Sequence, residues 1–167
     1  MSGRTLLTDE VRAWIGRETR YTAPDSLGRA SFRYFALAVG DKEAVYVDRD
    51  AARAAGYDDV IAPPTFVCET NQYLHRPPDD EGYIGHSWNL PVEGCRMIRG
   101  GHDYTFGRPV GPDDVLTVTW RIDDIVEKVS SSGLAMLLVT STATFEAQDG
   151  AFLARNRETM IYQQVKQ

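Results

Sequence analysis

The sequence has two cysteines, no long apolar run and no excess of basic residues. Cys68 and Cys95 lie far apart and form neither a CxxC pair nor a zinc-binding pattern, so we expect buried thiols. The longest uninterrupted apolar run, residues 134–139, is far shorter than the roughly 20 residues that cross a bilayer. The sequence therefore predicts no transmembrane segment and no disulfide-stabilised scaffold.

Charge and the first residues of the chain exclude further classes. The chain has 18 basic and 24 acidic residues, a formal net charge of −6, whereas nucleic-acid binding depends on neutralising phosphates with lysine and arginine. The residues before Asp9 and Glu10 contain no apolar stretch typical of a signal peptide. We expect a cytoplasmic protein that binds neither nucleic acid nor a membrane.

The chain is long enough to bury one sizeable core, since 43% of its 167 residues are hydrophobic. We assign residues 1–167 to a single domain. Helices are predicted where apolar residues recur at helical spacing and a capping residue, glycine or proline sets the boundary. They are expected after Thr8, at about Leu27 to Val39 with the stripe Phe32, Phe35, Ala36 and Val39, at about Asp50 to Ala55, and at about Pro63 to His75.

The second half of the chain changes to a period of two. Leu116, Val118, Trp120 and Ile122 alternate with polar residues, which is typical of a half-buried strand. Residues 76–95 are rich in turn formers and predict a long loop. Further strands are expected at about Met97 to Phe106, Leu134 to Glu146 and Phe152 to Tyr162. Helices followed by antiparallel strands predict an α+β fold with one long central helix on a curved sheet.

Two stretches carry more specific information. Residues 61–66 read IAPPTF at the start of the predicted central helix, and residues 99–118 read RGGHDYTFGRPVGPDDVLTV, a strand, a turn and a strand. Together with residues 35–60, these motifs resemble the MaoC-like hot-dog dehydratases and (R)-specific enoyl hydratases, and in particular their N-terminal-type half. The resemblance covers nearly the whole chain and implies a hot-dog fold.

The resemblance implies addition of water to, or its removal from, an acyl thioester. In the family, an aspartate and a histidine five residues later handle the water and the proton, while a backbone N–H at the central helix polarises the thioester carbonyl. The aspartate position holds Asp41, the histidine position holds Tyr46, and the position of the oxyanion-hole glycine holds Pro64. A phenol with a pKa near 10 is a poor base at neutral pH, and proline has no N–H.

These replacements imply a subunit that binds and shapes the acyl chain of acyl-CoA or acyl carrier protein, while a partner supplies the chemistry. We expect a heterodimer with a catalytic hot-dog subunit, or a homodimer, with no metal and no redox cofactor. The resemblance implies substrate contacts at the start of the central helix and along it: Ala62, Pro63, Pro64, Thr65 and Glu69.

Other interpretations remain open. The chain is an autonomous enzyme if Asp41 and Tyr46 suffice for hydration, or if Glu69 serves as the base or nucleophile of a thioesterase. It is a non-enzymatic acyl-thioester binding protein if no partner confers activity. Each residue also has an ordinary structural interpretation: Asp41 as a loop carboxylate, Tyr46 as a core tyrosine and Glu69 as a solvated glutamate.

Overall fold

The computed structural model describes residues 5–74, 77–80 and 82–165. Its first half contains helices α1 (Asp9–Arg12), α2 (Arg29–Val39), α3 (Arg49–Ala54) and α4 (Phe66–Glu69), strand β1 (Glu18–Thr22), and a 3-10 turn at Ala44–Tyr46. Its second half contains strands β2 (Cys95–Phe106), β3 (Thr117–Val129), β4 (Ala135–Glu146) and β5 (Phe152–Gln164). This arrangement confirms the predicted α+β class.

The five strands form one antiparallel sheet in the order β1-β3-β4-β5-β2. Short turns join β3 to β4 and β4 to β5, so these three strands pair over most of their length. Strand β1 was not predicted, because its sequence, ETRYT, has no apolar alternation; pairing with β3 holds it in the sheet. Strand β2 occupies the other edge.

The ends of α1 and α2 follow from local chemistry. The Thr8 hydroxyl accepts a hydrogen bond from the Val11 N–H, which is the predicted helix cap. Helix α2 ends at Gly40, which adopts φ 74° and donates to the carbonyls of Ala36 and Leu37. Within the predicted stripe Phe32 and Ala36 are buried, but the inclusion of Val39 is wrong, because Val39 is 58% exposed.

The central helix is much shorter than predicted. It spans Phe66–Glu69 rather than Pro63 to His75, and His75 lies outside the described residues. The Thr70 hydroxyl bonds to the Phe66 carbonyl, and Asn71 then adopts φ 51°, a left-handed conformation that ends a helix and that asparagine tolerates. Within residues 70–74, 77–80 and 82–94, the structure contains no helix or strand before β2.

The core lies between the concave face of the sheet and the helical half of the chain. All four apolar residues of the predicted alternation are buried: Leu116 directly before β3, and Val118, Trp120 and Ile122 within it. Phe66 of α4 packs edge-on against Phe32 of α2, with ring centroids 5.0 Å apart. This packing holds α4 against the inner face of the sheet. Within the described residues, no helix is long and apolar enough to span a membrane.

Candidate functional site

Asp41 and Tyr46 lie close together after α2. The Asp41 N–H donates to the Ala36 carbonyl at 2.9 Å, and its carboxylate accepts a hydrogen bond from the Glu43 N–H at 3.1 Å. The side chain thus stabilises a local turn. Tyr46 is 9% exposed; its burial, and next the Asp41 carboxylate, raise the pKa of its hydroxyl. The phenol therefore keeps its proton at neutral pH.

The predicted substrate-binding segment has few backbone donors to offer. The Ala62 N–H already donates to the Val110 carbonyl at 2.9 Å, and Pro63 and Pro64 have no N–H. The Thr65 carbonyl accepts hydrogen bonds from the Cys68 and Glu69 N–H groups and so forms the first turn of α4. Residues 62–64 therefore contain no free amide that could bind an oxyanion.

A cavity of about 390 Å³ lies beside α4. Its walls come from α4, from the loop before β2, and from β2, β3 and β5. Glu69 is the one predicted site residue among those lining the cavity in the described part of the chain. The lining residues are Cys68, Glu69, Asn71, Asp79, Tyr83, His86, Ser87, Trp88, Met97, Arg99, Trp120, Asn156, Glu158, Met160 and Tyr162.

One wall of the cavity, the tryptophan wall, is formed by Trp88 and Trp120. The indole N–H of Trp88 donates to the Ser141 hydroxyl at 2.9 Å, and that of Trp120 donates to the Tyr73 hydroxyl at 3.2 Å. The His86 ring stacks on Trp120, with centroids 4.5 Å apart. Because both indole nitrogens have partners, the wall offers mainly flat apolar surface to a ligand.

Cys68 also lines the cavity. Cys68 is buried, and its burial raises the pKa of the thiol to about 12. This confirms the predicted burial of Cys68, whereas the same prediction for Cys95 is wrong, because that free cysteine is only partly buried. A protonated thiol behaves as a small apolar group rather than as a nucleophile.

A hydrogen bond joins α4 to β2 at the rim of the cavity. The Tyr104 hydroxyl donates to the Glu69 carboxylate. Burial, and next this hydrogen bond, raise the pKa of Tyr104. The Tyr104 ring stacks between His102 and Phe106 at centroid distances of 5.6 and 5.9 Å. Glu69 is therefore a positioned carboxylate and not a freely solvated one.

Asn156 and Glu158 place polar groups deep in the cavity. They lie on the buried face of β5, 2% and 8% exposed. His102 Nδ1 lies 3.1 Å from Asn156 Oδ1, and an Arg99 guanidinium nitrogen lies 3.4 Å from His102 Nε2. Burial is the main cause of a raised pKa at Glu158; Arg99 and His102 oppose it and Glu69 adds to it.

Sequence reasoning missed Asn156 and Glu158, although a signal was available. In β5 the exposed Arg155 and Arg157 alternate with these two residues, and this period of two puts Asn156 and Glu158 on the same face as the apolar Ala154. Polar residues on a buried strand face are expected to bind something. Within the described residues, no cluster of three or more histidine, cysteine or acidic side chains could hold a metal ion.

The chain is similar to a known protein family and to individual members of known sequence. The model of the family described as "FAS1-like, dehydratase domain region" matches residues 13–155. A UPF0336 protein of Streptomyces avermitilis is 39% identical over 114 residues, which cover 68% of this chain and 72% of that protein.

Two solved structures have a similar fold. The HadBC (3R-hydroxyacyl-ACP dehydratase) complex of Mycobacterium tuberculosis contains a chain with a TM-score of 0.63 and 23% identity, covering 87% of this chain and 96% of that one. The MaoC-like dehydratase of Rhodospirillum rubrum has a TM-score of 0.65 and 19% identity, and the match covers 92% of this chain and 94% of that one.

Proposed function

Because the chain belongs to the FAS1-like dehydratase-region family and has the hot-dog fold of the MaoC-like dehydratases, we propose that it is one subunit of an (R)-specific 3-hydroxyacyl-thioester dehydratase or enoyl hydratase. In this proposal the chain binds the acyl group of an acyl-CoA or acyl carrier protein in the cytoplasm. A partner hot-dog subunit supplies the catalytic aspartate, histidine and backbone donor.

The observation that carries this proposal is the chemistry at Tyr46 and Pro64. Tyr46 is buried and its pKa is raised further, so it cannot act as a base near neutral pH. Pro64 has no N–H to donate to a developing oxyanion. Loss of one such donor typically costs about 100- to 1000-fold in rate, and loss of a general base costs about 100- to 10,000-fold. A chain that lacks both the general base and the oxyanion donor needs a partner subunit that supplies them.

The cavity supports the acyl-binding role. Its volume of about 390 Å³ lies at the small end of the roughly 300–1000 Å³ typical of small-molecule sites. The tryptophan wall and Met160 provide apolar contact surface, while the loop residue Tyr83 covers one side. A short acyl chain fits these dimensions and this polarity.

The free edge of β2 supports the pairing. Within the described residues, β2 pairs with β5 alone, and its outer edge carries 12 residues. Met97, Ile98 and Phe106 on this strand are 54%, 36% and 45% exposed. A long unpaired edge with apolar side chains favours strand addition by another subunit. The HadBC neighbour is itself a complex, and a homodimer is the alternative assembly.

Hydration of crotonyl-CoA tests the proposal directly. The chain is purified alone and then together with a short hot-dog subunit that carries the Asp-x4-His motif and the helix glycine. We expect negligible turnover by the lone chain. The pair should be stable, and it should act on short acyl chains better than the catalytic subunit does alone. Robust turnover by the lone chain, or no association with any such subunit, would contradict the proposal.

One observation favours a second candidate, an autonomous thioesterase. Glu69 reaches the cavity rim and is positioned by the Tyr104 hydroxyl, as a base that activates a water molecule would need to be. The lone chain should then hydrolyse acyl-CoA, and Glu69→Gln should abolish that activity while leaving acyl-CoA binding intact. If acyl-CoA binds without any turnover, alone or with partners, the chain is a non-enzymatic binding protein.

A further inference from the structure

Asn156 and Glu158 are unusual among the residues that surround the cavity. Both are more than nine-tenths buried, and both line it from the same face of β5. Two positions apart on one strand, they point in the same direction. Met160 and the tryptophan wall surround them with apolar surface. The two side chains therefore form a buried polar patch, here called the β5 polar patch, in a pocket whose lining also includes the polar residues Glu69, Asn71 and Arg99.

The β5 polar patch has hydrogen-bonding capacity that the protein leaves unused. The Asn156 carbonyl oxygen is engaged by His102. Within the part of the chain that the structure describes, no side-chain hydrogen bond involves the Asn156 NH₂ group or the Glu158 carboxyl group. The atoms concerned remain accessible from the cavity, since neither residue is among those with a fully buried, unpartnered polar atom. A purely hydrocarbon chain would cover them without supplying a partner. A ligand that carries a polar group would satisfy both.

The groups around the patch limit which kind of polar group a ligand could place there. Arg99 and His102 are the basic groups that act on the Glu158 carboxyl group, and Glu69 is the acidic group that acts on it. An amine could donate to Glu158, but a protonated amine has no lone pair with which to accept from the Asn156 NH₂ group. A carboxylate would face Glu158 itself. A neutral hydroxyl accepts from Asn156 and donates to Glu158, so it matches both groups.

We propose that the cavity selects a short acyl chain that carries a hydroxyl group away from the thioester, held between the Asn156 amide and the Glu158 carboxyl group. This inference rests on the acyl-binding role proposed above and names its substrate class. The hydroxyl is a second oxygen on the chain, distinct from the one that the partner subunit would remove as water. Asn156 and Glu158 are specificity-determining residues and not catalytic ones.

Tryptophan fluorescence provides a test that does not depend on turnover, because Trp88 and Trp120 line the cavity. The chain is titrated with hexanoyl-, octanoyl- and decanoyl-CoA and with the ω-hydroxy derivative of each. We expect the best ω-hydroxy ligand to bind roughly tenfold more tightly than its plain counterpart, the order of effect of one satisfied buried hydrogen-bonding site.

Variants then assign the preference to the patch. Glu158→Leu should reverse it in favour of the plain chain, while Glu158→Gln, whose amide oxygen still accepts a hydrogen bond, should retain most of it. Glu146→Leu, a matched change at the end of β4 outside the cavity lining, should leave it unchanged. The comparison of the two ligand series in the unaltered protein decides the matter even if Glu158→Leu does not fold.

The outcomes separate this inference from the proposed function. Equal affinity of plain and hydroxylated chains overturns the inference alone and leaves the acyl-binding role standing. Failure of every acyl-CoA to bind overturns both. Dehydration of a 3-hydroxyacyl-CoA by the lone chain, lost in Glu158→Gln, also overturns the inference, because the hydroxyl at the patch would then be the reacting one.

Discussion

The hydroxyl of Tyr104 on the edge strand β2 donates a hydrogen bond to the carboxylate of Glu69 on the short helix α4. This contact crosses the rim of the cavity and connects the strand that we expect to meet a partner with the helix that carries the predicted substrate-binding residues. Such a position allows Glu69 to serve the fold, the chemistry or both, and the two roles are separable by substitution.

Tyr104→Phe removes the hydrogen bond and keeps the ring stack. We expect a loss of about 1 kcal/mol in the free energy of unfolding, the ordinary value for one hydrogen bond, and a fall in Tm of about 2–4 °C for a chain of this length. Glu69→Gln and the double variant complete the cycle by thermal denaturation. Additive losses from the two single variants would show that the bond contributes nothing to stability.

Arg108, which follows β2, forms an ion pair with the buried carboxylate of Asp114. Two guanidinium nitrogens of Arg108 lie 2.8 and 2.7 Å from the Asp114 carboxylate, whose side chain is 7% exposed. Arg108→Leu leaves this buried carboxylate with the Gly111 N–H as its remaining donor. We expect a loss of about 2–3 kcal/mol by urea unfolding. Arg121→Leu, which breaks an exposed pair 4.0 Å long, should cost less than about 1 kcal/mol.

The ion pair between Arg108 and Asp114 makes the free energy of unfolding depend on pH. Burial alone would raise the pKa of Asp114, but the hydrogen bonds from Arg108 and from the Gly111 N–H outweigh it, and the pKa lies below its ordinary value. The stabilisation is therefore complete above a pH of about 4, the ordinary value of a free aspartate, and is lost as the pH falls through the lowered pKa. Urea unfolding across this range should show a smaller acid loss in Arg108→Leu; an unchanged pH profile would contradict this assignment.

The edge of β2 gives a prediction about assembly. Ile98 is 36% exposed on the unpaired edge strand, and a charge at such a position opposes strand addition. Ile98→Glu should abolish association with a hot-dog partner in size-exclusion chromatography while leaving the circular dichroism spectrum of the chain unchanged. Val129→Glu, at an exposed position at the end of β3, is the control and should still associate. Normal assembly of Ile98→Glu would show that the partner binds elsewhere.

Sequence patterns predicted those parts of the fold that follow from local periodicity and capping. The alternation around Trp120 and the glycine stop at Gly40 are of this kind, and both are confirmed. Strand β1 and the early end of α4 at Asn71 depend on pairing and backbone conformation, which periodicity does not contain.

The candidate site divides in the same way. Glu69 was predicted because it lies on the helix that follows a recognisable motif, and in the structure it lines the cavity. Asn156 and Glu158 were missed: the alternation in β5 puts them on one strand face, but the local sequence does not show that α4, the loop before β2, β2 and β3 enclose that face. A polar residue on a strand face gains its meaning from what packs opposite it, and that is a property of the tertiary fold.

The last prediction concerns restoring the family's catalytic groups to this chain. Tyr46→His supplies a base with a pKa near neutrality, and Pro64→Gly supplies a backbone N–H at the start of α4. Asp41 already occupies the position of the family's aspartate in the resemblance, so the double variant alone should hydrate crotonyl-CoA at least about tenfold faster than the unaltered chain, as expected when a missing acid–base group is returned. Each single variant should gain less activity, because both the proton and the oxyanion must be accommodated.

A double variant with Tyr34→His and Pro91→Gly, changes outside the proposed site, controls for nonspecific effects and should gain no activity. A folded but inactive Tyr46→His/Pro64→Gly variant would show that this site lacks more than those two groups, and the attribution of the deficit to Tyr46 and Pro64 would fail.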